Sequence, residues 1–146
     1  MNSNPENLAR HCASALAAED NASRSLGMEL LSVGPGQARM AMRITEAMSN
    51  GHGTCHGGFI FTLADSAFGY ACNTYNQRTV AQHCSVTFIK PARIGRRLIA
   101  EAKERHRGER SGIYDITVTD EDGTVIAEFR GHSRTVPGSL LPNSSE

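Results

Sequence analysis

The run from Phe59 to Ala71 constrains this chain more than any other segment. Phe59, Ile60, Phe61, Leu63, Ala64, Ala67, Phe68, Tyr70 and Ala71 leave almost no polar side to a helix built from them. A helix that is apolar all round lies inside a protein, so the rest of the chain must wrap it. The same run carries one carboxylate, Asp65. An ionised Asp in such a place is costly unless it is paired, opened to a cleft, or required for chemistry. Ahead of it stands a loop rich in glycine and histidine, Asn50-Gly51-His52-Gly53-Thr54-Cys55-His56, followed by Gly57-Gly58 at the helix start.

A length of 146 residues suffices for one core and not for two, so residues 1–146 read as a single domain. Residues 1–7 and 137–146 are expected as flexible tails because of their Pro, Ser and Asn content. Fifteen basic and fifteen acidic residues cancel, which argues against a general nucleic-acid or anionic-membrane binder. The cysteines Cys12, Cys55, Cys72 and Cys84 follow no regular framework, and Met1 to Arg10 is polar. A reduced, cytoplasmic protein is the expectation. No apolar run approaches the length of a membrane span.

Alanine-rich Leu8–Ser25 reads as a short helix ended near Gly27. Met28–Val33 and Gln37–Ile44 read as strands about Gly34-Pro35-Gly36, the second alternating Ala38, Met40, Met42 and Ile44 with Arg39, Ala41 and Arg43. After the central helix come Ala81–Ile89, Arg97–Arg107, Ile113–Asp120 and Val125–Thr135. The last two are joined by Asp120-Glu-Asp-Gly123-Thr, a hairpin signal. Hairpins imply antiparallel pairing. The class is therefore α+β, with one helix wrapped by a curved antiparallel sheet of five to six strands.

At the helix start the first amide groups lack intrahelical partners and the dipole places partial positive charge there. Gly57 has no side chain to keep a carbonyl oxygen from its N–H, which suits an oxyanion hole. Close packing of the loop against a strand would explain Gly57-Gly58 equally well. Asp65 is the candidate general base or nucleophile, with a core acid held by neighbours as the plainer reading. Thr62, Ser66 and Gly69 share its face. Eight residues of helix put Gly57 and Asp65 about 12 Å apart, too far for both to act on one carbonyl carbon. Two helices antiparallel about a two-fold axis would set Gly57 of one chain opposite Asp65 of the other, so a dimer with composite sites is expected.

His52 and His56, with Cys55 and Asp65, invite a metal reading, but the glycines between the histidines make this a loop, and no metal is expected. His56 suits a hydrogen-bonding cap, and Asn50 suits orienting the loop or a substrate carbonyl. Lys90-Pro91-Ala92-Arg93-Ile94-Gly95-Arg96-Arg97 gathers four cations in one turn, as a phosphate-bearing ligand would need or as a solvated turn would tolerate.

Taken together, Asn50-Gly-His, Cys55-His56-Gly57-Gly58, Leu63-Ala-Asp65-Ser-Ala-Phe-Gly-Tyr-Ala-Cys-Asn73, Phe88-Ile-Lys-Pro91, Gly112-Ile-Tyr-Asp-Ile116 and Phe129-Arg-Gly131 resemble the hotdog-fold acyl-CoA thioesterases, in their phenylacetate-degradation (PaaI) branch. The resemblance runs from Leu26 to Pro137. It implies that Asp65 is the catalytic carboxylate and that Gly57 N–H polarises the thioester carbonyl across the subunit boundary. Asn50 and His56 match positions that shape the loop and contact the substrate end, with Gly58 beside them as a substrate-binding candidate; the phosphate reading of the cation turn, separately, assigns Lys90 and Arg93 to the CoA. The resemblance further implies a homotetramer of two hotdog dimers, no cofactor, and hydrolysis of (hydroxy)phenylacetyl-CoA. Ala18-Glu19-Asp20-Asn21 follows the family's acidic-amide pattern only loosely. Two other readings compete: a hotdog thioester hydratase or dehydratase, using His56 and Asp65 from facing subunits, and a non-catalytic acyl-CoA-binding module.

Overall fold

The computed structural model of the chain describes residues 4–142. In order these form α1 (Pro5–Glu19), α2 (Asn21–Ser25), β1 (Glu29–Gly34), β2 (Gln37–Arg43), a 3-10 turn (Glu46–Met48), α3 (Gly57–Cys72), β3 (Thr79–Phe88), β4 (Arg97–Arg107), β5 (Ser111–Thr119) and β6 (Val125–Thr135). The six strands make one antiparallel sheet in the order β1-β2-β4-β5-β6-β3. The central helix and curved sheet expected from the apolar run are both present.

The strand ends lie within two residues of the sequence reading, and two helix boundaries differ from it, each for a local reason. The expected tail 1–7 is helical from Pro5: Asn4 Oδ1 accepts from Glu6 N at 2.8 Å, and proline suits a first helical position. Residues 1–3 and 143–146 of the two expected tails lie outside the described residues. The helix expected over Leu8–Ser25 is broken at Asp20. Its carboxylate accepts from Ser23 N at 3.1 Å and so starts α2 instead of continuing α1. At the other end, residues 138–141 are tethered to the loop after α3. Arg78 N donates to Gly138 O, and Asn76 Oδ1 accepts from the Leu140 and Leu141 amides.

α3 lies on one face of the sheet. Its Leu63, Ala64, Ala67, Phe68 and Ala71 are buried with Met40, Met42, Leu98, Ala100, Ile116, Val118 and Phe129. The alanines let the helix approach closely, and Gly131 on β6 does the same: a Cβ there would stand 2.7 Å from the Phe68 ring. No described helix is long and apolar enough to cross a membrane.

The two sheet edges are unequal. β1 is six residues long, bulged, and packed by α1. β3 is ten residues long and open, with Val80 46% and Phe88 50% exposed and Ile89, just past its end, 49% exposed. A long, uncovered edge with apolar side chains is a ready template for another strand.

Candidate active site

The loop before α3 is pinned on both sides. Cys55 N donates to Ala92 O at 2.8 Å and His56 N donates to Met48 O at 2.7 Å. Asn50 closes the loop on itself: its Oδ1 accepts from His52 N at 2.8 Å and Thr54 N at 3.2 Å, and its Nδ2 donates to Thr54 Oγ1. Its side chain is thus an organiser of the turn.

His56 is the N-cap of α3. Its Nδ1 accepts from Gly58 N at 2.9 Å, which fixes the proton of the neutral ring on Nε2. The cap satisfies the second amide of the helix and leaves the first. Gly57 N–H has no acceptor among the described residues and stands at the positive end of the α3 dipole. The Cα side of Gly57 is filled by the Phe88 ring, 2.8 Å from where a Cβ would be. Glycine is therefore needed here for packing, the plainer of the two readings, and its amide is also free for a ligand. The two readings are compatible, and the contact of Phe88 with Gly57 was not legible from the sequence.

Asp65 lies two turns further along α3, half-buried, with no hydrogen bond or ion pair to any described residue. Burial pushes its carboxyl above the ordinary aspartate range. Its charge in turn adds to burial in holding the Cys72 and Cys84 thiols protonated. Cys55 is pushed up to about 11 and Cys72 to about 12, chiefly by burial, so neither is a thiolate nucleophile near neutrality. Among the described residues, no three His, Cys, Asp or Glu side chains converge as a metal site would require.

A cleft of about 380 Å³ opens at the head of α3, lined by Asn50, Cys55, Gly57, Ile60, Phe88, Ile89, Lys90, Pro91 and Ala92. It contains Gly57 and excludes Asp65. The four-cation turn divides at this point. Lys90 lines the cleft and Arg93 is exposed with no side-chain partner in the described chain, whereas Arg96 is paired with Asp122 at 2.9 Å and Arg97 N donates to Glu121. A larger hollow, about 550 Å³, lies among charged strand side chains including Glu101, Lys103, Arg105, Asp115 and Arg130. Those charges largely satisfy one another, as in the bidentate Arg130–Asp115 pair, and no residue of α3 lines it.

Sequence reasoning also missed a polar link beside Asp65. Asp20 Oδ2 accepts from Tyr70 OH at 3.0 Å and from Ser23 Oγ at 2.6 Å, and Ser66 Oγ lies 3.5 Å from Ser23 Oγ. The α1–α2 elbow is thereby tied to α3 next to the carboxylate.

The fold and this helix head define a known class. The Thioesterase superfamily model matches residues 52–127, just over half the chain, and the chain belongs to that family as a hotdog-fold thioester hydrolase. It is 39% identical over 128 residues to the acyl-coenzyme A thioesterase PaaI of Escherichia coli (strain K12), covering 88% of this chain and 91% of that one. The structure of the E. coli PaaI protein from the phenylacetic acid degradation operon superposes with a TM-score of 0.92 at 38% identity, covering 93% of this chain and 99% of that chain. A mutant of the phenylacetic acid degradation protein PaaI from Thermus thermophilus gives a TM-score of 0.75 at 35% identity, covering 78% and 97%.

Proposed function

We propose that this chain hydrolyses aryl-acetyl-CoA thioesters, phenylacetyl-CoA and its ring-hydroxylated forms above all, to the free acid and CoA in cytoplasmic phenylacetate catabolism. The reading is carried by one observation: α3 holds an unpartnered amide at its head and an unpartnered carboxylate two turns on. They are about 12 Å apart along the axis. One polarises a carbonyl and the other activates or performs an attack, and a single chain brings them to no common point. The PaaI similarity supports the acyl-CoA substrate and the phenylacetate setting.

A two-fold axis beside β3 reconciles the pair. The open β3 edge suits pairing with its own copy, which extends the sheet and lays the two α3 helices side by side, antiparallel. Gly57 of each chain then faces Asp65 of the other. The family resemblance extends this to a dimer of dimers. CoA enters along the Phe88–Ala92 cleft, with Lys90 and Arg93 toward its phosphates.

In the general-base form, Asp65 takes a proton from water as the oxygen attacks the thioester carbon. The oxyanion rests on Gly57 N–H, and collapse expels the CoA thiolate, which takes up the proton. In the nucleophilic form, the carboxylate itself attacks, and collapse breaks the C–S bond and expels the CoA thiolate. Water then cleaves the resulting anhydride to the free acid and the regenerated Asp65 carboxylate, the thiolate taking up the proton released. Both require Asp65 ionised.

A thiol-release assay tests this reading across phenylacetyl-, hydroxyphenylacetyl-, benzoyl- and short aliphatic CoA esters. The expected kcat/KM for the two aryl-acetyl esters exceeds that for acetyl-CoA by roughly tenfold or more, equivalent to at least ~1.4 kcal/mol of selective transition-state binding. Crotonyl-CoA should lose no enoyl absorbance. Hydration of crotonyl-CoA without thiol release would instead establish the hydratase reading.

A further inference from the structure

The glycines of α3 are not alike. A Cβ on Gly57 would stand 2.8 Å from the Phe88 ring, and one on Gly58 would stand 3.2 Å from the His56 ring. Gly69, in the interior of the same helix, has nothing within 4 Å of where its Cβ would be, and no positive φ requires it. After proline, glycine is the least favourable residue in a helix interior. Neither backbone conformation nor packing within the chain accounts for it, so its reason lies in what occupies that space from outside.

Gly69 sits one turn beyond Asp65. Thr62, Asp65, Ser66 and Gly69 share one face of α3 and are all half-buried, whereas Leu63, Ala64, Ala67, Phe68 and Ala71 are buried against the sheet. The α1–α2 elbow is tied to α3 at residues before and after Gly69, through Ser23 at Ser66 and through Asp20 at Tyr70.

We infer that Gly69 sets the size of the acyl group the site accepts, by leaving room for a ring to lie against the helix backbone next to Asp65. The inference rests on the two-chain thioesterase reading above. In that arrangement Gly57 of the partner subunit lies opposite Asp65, so antiparallel counting sets Gly69 opposite the partner's loop before its helix begins. Close approach of the two helices is therefore not what calls for a glycine here. From Asp65 to Gly69 the helix rises about 6 Å. A phenylacetyl group reaches about that far from its carbonyl carbon to its para position, given single bonds of about 1.5 Å and a six-membered ring.

The test compares the wild type with Gly69→Ala and Gly69→Leu in two readouts. In thiol release, kcat/KM for phenylacetyl-CoA should fall ~10-fold for alanine and ~100-fold for leucine, while acetyl-CoA stays within about threefold of wild type. In calorimetry, a non-hydrolysable phenylacetyl-CoA thioether should lose affinity in the same order while CoA itself does not. Gly69→Ala should also raise the melting temperature, since a methyl added to open space costs nothing and favours the helix. Equal losses for both esters, or none for either, would overturn the inference. A wild type that binds the thioether but releases no thiol from any ester would count against the hydrolase reading alone, because the affinity series still decides the role of Gly69.

Discussion

Asp65→Asn should lower kcat by about 10²–10⁴-fold, or roughly 2.7–5.4 kcal/mol of barrier, in a chain that still folds and assembles. The substitution keeps the volume and removes the charge that both forms of the mechanism need. Nothing in the described chain is lost with it, because Asp65 has no partner there. The stability effect has a definite sign. Burial raises the carboxyl of the folded protein above its ordinary value of 3.8, so the folded state binds this proton more tightly than the unfolded one. Stability from this source is full below pH 3.8 and is lost as pH rises through the raised folded value. At pH 7 the wild-type protomer bears that cost and the Asn variant does not. Asp65→Asn should therefore melt at or above wild type at neutral pH, with the gap closing on acidification. The acid limb of the wild-type kcat/KM profile should lie above pH 3.8 for the same reason. A folded Asp65→Asn protein with near-normal kcat would make Asp65 a structural acid.

Gly57→Pro should cost about 10²–10³-fold in kcat, the usual effect of losing one oxyanion donor. Proline suits the first position of a helix and removes only an N–H that has no helical partner. The residue before it, His56, already has φ −61° and ψ 132°, the extended conformation that precedes proline. The new ring would crowd Phe88, so the comparison belongs in a Phe88→Ala background. Gly57→Ala in that background keeps the amide and should keep most of the turnover. Equal activity of the proline and alanine variants would remove Gly57 N–H from the mechanism.

What could be read from the sequence was what is local along it. The bounds of β4 and β6 were legible because period-two alternation runs between clear turn signals. Asp65, Gly57, Gly58, His56 and Asn50 form one continuous stretch in which loop, cap and buried helix are each marked by residue type. The α1–α2 break was hidden because Asp20 fits a helix end and a helix start equally well, and its carboxylate takes the second role. β3 was legible as a strand but not as the open edge. That follows from sheet order, which depends on contacts far apart in the chain. The fit of Phe88 on Gly57 and the Asp20–Tyr70 bond are contacts of the same kind, the latter spanning 50 residues. Likewise nothing near Arg96 signals that Asp122, on the β5–β6 hairpin, neutralises it while Lys90 and Arg93 stay available.

The central claim is that each site takes its amide from one chain and its carboxylate from another, and subunit mixing tests it directly. Asp65→Asn and Gly57→Pro proteins, both in the Phe88→Ala background and each nearly inactive alone, are exchanged at equal concentration, with heterodimer formation confirmed by native mass spectrometry. Random pairing makes half of the dimers mixed, and a mixed dimer holds one site with both groups intact. Activity should therefore rise to about one quarter of that of the Phe88→Ala parent. If confirmed heterodimers stay as inactive as the two parents, both groups act within one chain and the shared site is wrong.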